Sequence, residues 1–272
     1  MHRKNPTIMT HSFPAIMGIL NVTPDSFSDG GKYNTLDAAL KHCEEMLEQG
    51  ADIIDIGGCS TRPNNAIATE EEELQRVIPV LKAIRQRFPE AEISIDTFRK
   101  NVAEQCMDAG ANIINDISGG LFDPQMLPYI GENHIPYVLM HCVGTPETMH
   151  QYQLDGDIHQ TVLDFFVKQC DVLEAYGDQQ IILDPGIGFG KSLESNYALL
   201  KDLNRYRHHN YPILIGISRK SLIWKLLGKE ADPENCTTIL NTIALLNGAD
   251  ILRVHNVKNA VELKKTFIFA ER

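Results

Sequence analysis

The sequence predicts an α/β fold, a single-domain (β/α)8 TIM barrel, on three observations. Short apolar runs alternate with longer amphipathic ones, the alternation repeats eight times, and no linker or composition break divides the chain. A length of 272 residues suits one such barrel, which typically takes about 250. Residues 1–14 are expected to form an N-terminal arm and residues 15–272 the barrel itself.

The elements follow in order. Ala15–Val22 reads as the first strand, and the helix after it carries Leu36, Ala39, Leu40, Cys43, Met46 and Leu47 on one face. Asp52–Gly58 is the second strand. Thr69 followed by Glu72 reads as a capping box, opening a helix whose apolar stripe is Leu74, Val77, Ile78, Leu81 and Ile84. Strand Glu92–Thr97 is paired with helix Arg99–Ala109, strand Asn112–Ser118 with helix Pro124–Ile130, and strand Pro136–His141 with helix Ile158–Tyr176. Strand Ile181–Asp184 precedes helix Leu193–Asp202, strand Pro212–Ser218 precedes helix Pro233–Leu246, and strand Ile251–His255 precedes helix Val257–Phe269. Several strands are near-continuous Ile, Val and Leu, as parallel strands buried on both faces require. Gly50-Ala51-Asp52, Gly110-Ala111-Asn112 and Gly248-Ala249-Asp250 mark helix stops just before a strand, glycine supplying the left-handed turn.

Composition narrows the function classes. With 43% hydrophobic and 22% charged residues the balance is that of a soluble domain, and no apolar run approaches the roughly 18 residues of a membrane span. Met1 to Thr10 lack the apolar stretch of a signal peptide, so a cytoplasmic protein is expected. A formal charge of -11 argues against a nucleic-acid partner, though a local cationic pocket can still take an anion. No two of the six cysteines form a CxxC pair, which leaves no zinc knuckle or redox motif; Cys59 and Cys142 lie beside motif residues.

The informative pattern is what ends each strand. A strand buried on both faces closes with a polar group only where that group has a partner or a task. Here the ends carry Asn21, Asp96, Asn115, Asp184, Ser218 with Lys220 just beyond, and Arg253 with His255. In a barrel these converge on the rim where active sites occur. Singly, each is as easily a helix cap or a buried ion pair; the set together is not. Asp96, Asn115 and Asp184 supply acceptors and an amide suited to a flat heterocycle bearing N–H groups. Lys220, Arg62, Arg253 and His255 supply positive charge suited to a phosphate leaving group.

Two motifs mislead. Asp184-Pro-Gly-Ile-Gly-Phe-Gly-Lys-Ser192 resembles a phosphate loop, but Pro185 stands where the first glycine must be, and the glycines lack the GxGxxG interval. Its glycines read instead as permitting close approach to a ligand. His134, His141, His150 and His159 match no metal-ligand spacing, and His208-His209 read as exposed loop residues.

Met17-Gly-Ile-Leu-Asn-Val-Thr-Pro-Asp-Ser-Phe-Ser-Asp-Gly-Gly31 resembles the first signature of the dihydropteroate synthase family, and Asp55-Ile-Gly-Gly-Cys-Ser-Thr-Arg-Pro63 the second. Ser94-Ile-Asp-Thr97, Ile114-Asn-Asp-Ile-Ser-Gly119, Met140-His141, Asp184–Gly190, Ser218-Arg-Lys220 and Arg253-Val-His255 complete the set in family order, covering essentially residues 15–270. The resemblance implies condensation of a hydroxymethyl-dihydropterin pyrophosphate with p-aminobenzoate. It implies that the pterin sits on Asp96, Asn115, Asp184, Lys220, Met140 and Gly216. The implied p-aminobenzoate site is Phe27, Thr61, Arg62, Pro63, Phe189 and Ser218, where sulfonamides would act as mimics. Asn21, Thr61, Arg253 and His255 are implied to receive the pyrophosphate, Asn21 holding its Mg2+. Asp96, Lys220, Arg253 and His255 are the implied catalytic set, and a homodimer, with helices such as Val257–Phe269 as candidates for its interface, is the implied assembly. Asn64-Asn65, Cys59 and Asn256 depart from the common family pattern without removing a catalytic group.

Other classes remain open at this point. A pterin-binding methyltransferase would keep the Asp/Asn/Asp grip but have no use for Ser60-Thr61-Arg62-Pro63 or the cationic pair on the last strand. A non-catalytic pterin-binding protein would not need intact candidates for every role, and a sugar-phosphate barrel would not explain carboxylates facing Lys220.

Overall fold

The computed structural model describes residues 12–23, 32–59, 67–145, 148 and 157–271. Most of the expected N-terminal arm lies outside them. Eight parallel strands alternate with helices: β1 (Ala15–Asn21), β2 (Ile53–Gly57), β3 (Ile93–Asp96), β4 (Ile113–Asp116), β5 (Tyr137–Met140), β6 (Ile181–Asp184), β7 (Leu214–Ile215) and β8 (Ile251–Val254). The sheet order β6-β5-β4-β3-β2-β1-β8-β7 places the last strands beside the first, and a parallel bridge between Leu183 and Ile213 closes the ring. The expected (β/α)8 barrel is therefore the fold.

The helices are α1 (Lys32–Gln49), α2 (Glu70–Arg87), α3 (Lys100–Asp108), α4 (Met126–Asn133), α5 (Ile158–Glu174), α6 (Leu193–Lys201), α7 (Ser221–Leu227), α8 (Pro233–Leu246) and α9 (Val257–Ala270). The capping box at the start of α2 forms as expected, with Thr69 Oγ1 accepting from Glu72 N and Glu72 Oε2 accepting from Thr69 N. Two pieces are additions to the sequence reading. A 3₁₀ turn, Leu203–Tyr206, follows α6, and α7 occupies the stretch between β7 and α8 that the sequence left unassigned. Strand β7 is also shorter than the expected Pro212–Ser218, because Lys220 N donates to Ile217 O and turns the chain out of the ladder.

Two apolar layers hold the barrel. The larger lies between strands and helices and includes Ile54, Ile56, Val77, Leu81, Ile95, Ile114, Phe166, Leu183 and Leu252. The smaller fills the closed end of the barrel with Ala15, Met17, Ile53, Ile113, Val138, Ile182, Leu214 and Ile251. Side chains alternate faces along a strand, so stepping two residues along from this plug gives the next inward layer: Ile19, Asp55, Asn115, Met140, Asp184, Gly216 and Arg253. Apolar floor and polar rim are thus one periodicity read at two heights.

The closed end has a repeated tie. Asp52 Oδ2 accepts from Ile16 N at 2.7 Å while Asp52 N donates to Ile16 O. Asn112 does the same with Ile93 (Oδ1 to N, 2.9 Å) and Asp250 with Ile213 (Oδ2 to N, 2.8 Å). Each tie joins an odd strand to the even one after it, and each acceptor is steadied by a cation: Lys264, Arg85 and Arg207 respectively. The expected glycine stops precede all three, with φ near +100° at Gly50, Gly110 and Gly248.

Candidate active site

The open end of the barrel gathers the strand-end residues into one polar network. Arg253 on β8 donates from Nε to Asp55 Oδ2 at 2.6 Å and from Nη2 to Asp96 Oδ2 at 2.7 Å. Asn115 on β4 donates from Nδ2 to the same Asp55 oxygen at 3.1 Å. Asp55 is fully buried, and its second oxygen, Oδ1, has no hydrogen-bond partner. Burial raises the Asp96 carboxyl above the usual range, with Asp55 pushing the same way and Arg253 opposing. The Arg253 guanidinium is held in its charged form by Asp55 and Asp96 against the cost of its own burial.

Beside this network lies a second pair. Burial raises the Asp184 carboxyl, opposed by Lys220 and by the bond that its Oδ1 accepts from Gly186 N at 2.7 Å. Burial pushes the Lys220 ammonium down to about 8, Asp184 acting against it. Lys220 Nζ donates to Ile187 O and sits 4.3 Å from the centre of the Phe189 ring. A side chain at Gly216 would come within 4.0 Å of both Arg253 and Lys220, so the glycine leaves open the space between the two cations. An apolar wall of Ile117, Met140 and Cys142, backed by Phe98, Phe122 and Phe189, completes this half. A flat ring bearing N–H and carbonyl groups suits such a slot, since its faces meet apolar atoms and its edges meet charged ones.

Just beyond β7 and β8, two residues from Lys220 and Arg253 respectively, Ser218 Oγ lies 3.0 Å from His255 Nδ1 and accepts weakly from His255 N at 3.3 Å, fixing the imidazole at the end of β8. Oxygen donors meet above Gly57, where an added Cβ would be 3.6 Å from both Asn21 Oδ1 and Asp96 Oδ2. Hard oxygen ligands around a space left by a missing side chain fit Mg2+, which takes one or two protein ligands and fills the rest with water and phosphate oxygens.

The structure therefore brings together Asn21, Asp96, Asn115, Met140, Asp184, Phe189, Gly216, Ser218, Lys220, Arg253 and His255. Phe27, Thr61, Arg62 and Pro63 lie outside the described residues. Sequence reasoning missed Asp55, although an aspartate inside the run Ile53–Gly57 was the signal: it is a strand-centre charge, and only strand ends were searched. It also misread the loop after β6. Lys191 is buried, and its Nζ donates to His141 O (3.1 Å), Gly186 O (2.8 Å) and Phe189 O (3.1 Å). The glycines here admit another loop: an added Cβ would lie 1.8 Å from His141 O at Gly186 and 2.5 Å from Val143 O at Gly190. The His141 ring is buried edge-on to Phe165 at 5.1 Å, its Nδ1 has no hydrogen-bond partner, and burial drives its imidazole down to about 2. Neither cysteine at the mouth is an activated thiol, because burial raises Cys59 and pushes Cys142 up to about 11.

Known proteins with this arrangement agree. The family model described as pterin binding enzyme matches residues 17–255. The dihydropteroate synthase of Escherichia coli is 46% identical over 259 residues, covering 94% of this chain and 91% of that protein. A crystal structure of the Clostridium difficile dihydropteroate synthase, obtained in the presence of pteroic acid, superposes with a TM-score of 0.87 at 40% identity, over 96% of this chain and 97% of that one. The Xanthomonas albilineans dihydropteroate synthase with 4-aminobenzoic acid gives 0.85 at 37% identity, over 95% of this chain and 94% of that one. By its matched family model and its identity to these relatives over nearly the whole chain, this protein belongs to the dihydropteroate synthase family of pterin-binding enzymes.

Proposed function

We propose that residues 15–272 form one catalytic barrel that condenses 6-hydroxymethyl-7,8-dihydropterin pyrophosphate with p-aminobenzoate, giving 7,8-dihydropteroate and pyrophosphate. The observation that carries this reading is the slot bounded by Asp184 and Lys220 on one side and by Asp96, Arg253, Asp55 and Asn115 on the other. Its carboxylates and amide match the N–H edge of a pterin, and Lys220 matches a ring carbonyl. The pteroic acid and 4-aminobenzoic acid named with the two relatives' structures are the matching product class and co-substrate.

The amine nitrogen of p-aminobenzoate attacks the pterin methylene, the C–O bond to pyrophosphate breaks, and the amine sheds a proton. An aromatic amine is a weak nucleophile, so the barrier falls most by stabilising departure. Arg253, His255, Asn21 and Thr61 are the residues assigned to the pyrophosphate. Asn21 would hold Mg2+, which would supply further positive charge against the leaving group. Asp96 faces the reacting end of the ring and stabilises positive charge as it develops there. The p-aminobenzoate site is assigned to Phe27, Thr61, Arg62, Pro63, Phe189 and Ser218.

The protein works as a homodimer in the cytoplasm on this reading. No helix among the described residues is long and apolar enough to cross a membrane, and the described cysteines are all free, as in a reducing compartment. Beside the expected α9, whose Phe269 is exposed, α7 and α8 offer a second candidate dimer face, where Leu226, Leu227, Ile239, Ile243 and Leu246 are all exposed. Ile239, Ile243 and Leu246 recur at helical spacing, an apolar stripe that a second copy would cover.

Purified protein incubated with both substrates and Mg2+ should release pyrophosphate only when p-aminobenzoate is present, in step with dihydropteroate. Tight pterin binding without product would overturn the synthase reading in favour of a methyltransferase or a binding protein.

A further inference from the structure

Helix α5 carries Cys170 and Glu174 one turn apart on one face, and the segment leading into β7 brings His208 against them. The Cys170 thiol sulfur, a Glu174 carboxylate oxygen and a His208 ring nitrogen all lie within 4.8 Å of one another. Cys170 is fully buried. His208, expected to be an exposed loop residue, instead has its Nε2 shut off from solvent with no hydrogen-bond partner. An imidazole nitrogen in that state is costly unless something occupies it. The carboxylate is pre-set: Tyr211 OH donates to Glu174 Oε1 at 2.9 Å and His209 Nδ1 lies 2.8 Å from the same oxygen, leaving Oε2 for another partner. The His208 ring is held by stacking on His209 at 3.9 Å. Ligands oriented by outer hydrogen bonds in this manner are the usual construction of a metal site.

We propose that Cys170, Glu174 and His208 bind a divalent metal ion of borderline softness, zinc or a chemical equivalent such as cobalt, on the outer wall of the barrel. One thiolate, one imidazole and one carboxylate form a ligand set that zinc accepts in a tetrahedron, with water as the fourth ligand. Metal–ligand bonds of about 2.0–2.3 Å need ligand atoms about 3.3–3.8 Å apart, so the three side chains close in by roughly 1 Å on binding. As the metal–sulfur bond forms, the thiol proton leaves to solvent. Both contributing segments lie toward the end of the barrel opposite the catalytic mouth, since α5 ends and β7 begins there. The site is independent of the Mg2+ and substrate residues and does not rest on the synthase reading.

The test is a titration of the full chain, freed of metal and kept in excess Mg2+, with Co2+. One equivalent should produce a thiolate-to-cobalt charge-transfer band in the near-ultraviolet with strong visible d–d bands, and Zn2+ should abolish both. Cys170→Ala should remove the charge-transfer band, and His208→Gln should weaken binding by about tenfold or more. Absence of the band in the unaltered chain would overturn the proposal. So would its survival in Cys170→Ala, which would assign it to another cysteine. Should Cys170→Ala not fold, His208→Gln decides, because its ring lies in a connecting segment: unchanged affinity there would also overturn the site. Turnover should stay within about twofold in His208→Gln.

Discussion

Arg253 and Asp55 are joined inside the barrel by a 2.6 Å bond from Nε to Oδ2, while Asp55 Oδ1 has no partner. The arginine is thus a brace between two carboxylates before it is an anion contact. Its positive charge is shared among Asp55, Asp96 and whatever enters the mouth.

Removing the brace should therefore cost stability. Asp55→Ala leaves a buried guanidinium with Asp96 as its one remaining carboxylate and is expected to lower unfolding free energy by about 3–5 kcal/mol. Asp55→Asn, which keeps the shape, should cost less. A urea midpoint that does not move in Asp55→Ala would rule out the structural part of this role.

The catalytic part separates in kinetics. Arg253→Lys cannot reproduce a planar fork between two carboxylates. It should lower kcat by about 100-fold or more, with the pterin dissociation constant changed much less. Equal losses in calorimetric pterin binding and in turnover would count against a role in stabilising departure.

Lys220 sets a pH dependence. Its ammonium is pushed down to about 8 from 10.5, so it is charged below that pH and neutral above it. Turnover that needs the charged form should fall as pH rises through about 8. Folding runs the other way: the unfolded chain binds more protons between about 8 and 10.5, so this group's contribution to stability increases with pH across that window. Lys220→Arg stays charged and should remove the alkaline fall from the pH–rate profile, whatever its effect on the maximum.

Lys191 offers one N–H to each of three buried carbonyls, a tripod that no other side chain copies. Lys191→Met should orphan His141 O and Phe189 O, leave Gly186 O with the bond from Phe189 N alone, and cost about 3 kcal/mol or more. Lys191→Arg should recover little of it. Thermal denaturation of both variants checks this; full rescue by arginine would mean that charge alone matters here.

Gly186→Ala tests the same junction from the backbone side. With φ at +69° and an added Cβ 1.8 Å from His141 O, the two loops must part. A loss of at least about 2 kcal/mol is expected, with a raised KM for the pterin substrate because Asp184 Oδ1 is tied to Gly186 N. Wild-type KM and stability would show that the junction gives freely.

The barrel was legible because its signal is repeated: eight apolar runs, three Gly-Ala-Asp/Asn stops and a polar residue ending strand after strand. The site was legible at strand ends for a related reason, since the inward column of most strands changes from apolar to polar with height. What was missed lacked such a pattern. Helix α7 has only seven residues, so although Leu222 and Leu226, like Ile223 and Leu227, lie one turn apart, the run is too short for its period to stand out in the sequence. Asp55 sits in mid-strand, where its role depends on Arg253, 198 positions away in the chain. The role of Lys191 was missed because sequence shows a lysine after glycines but not the carbonyls it meets, two from its own loop and His141 O from a neighbouring one.

The ties at the closed end reach further than the strands they join. A strand advances about 3.3 Å per residue and turns its side chains over at each step. A slip of one residue between β3 and β4 would carry Asn115 away from Asp55 and aim it at the helices. The bonds from Asn112 to Ile93, like those from Asp52 to Ile16 and Asp250 to Ile213, fix where each strand starts counting. They work as the fixed stops of a measuring instrument. Residues that no substrate touches determine, to within a hydrogen-bond length, the level at which the opposite face presents its chemistry.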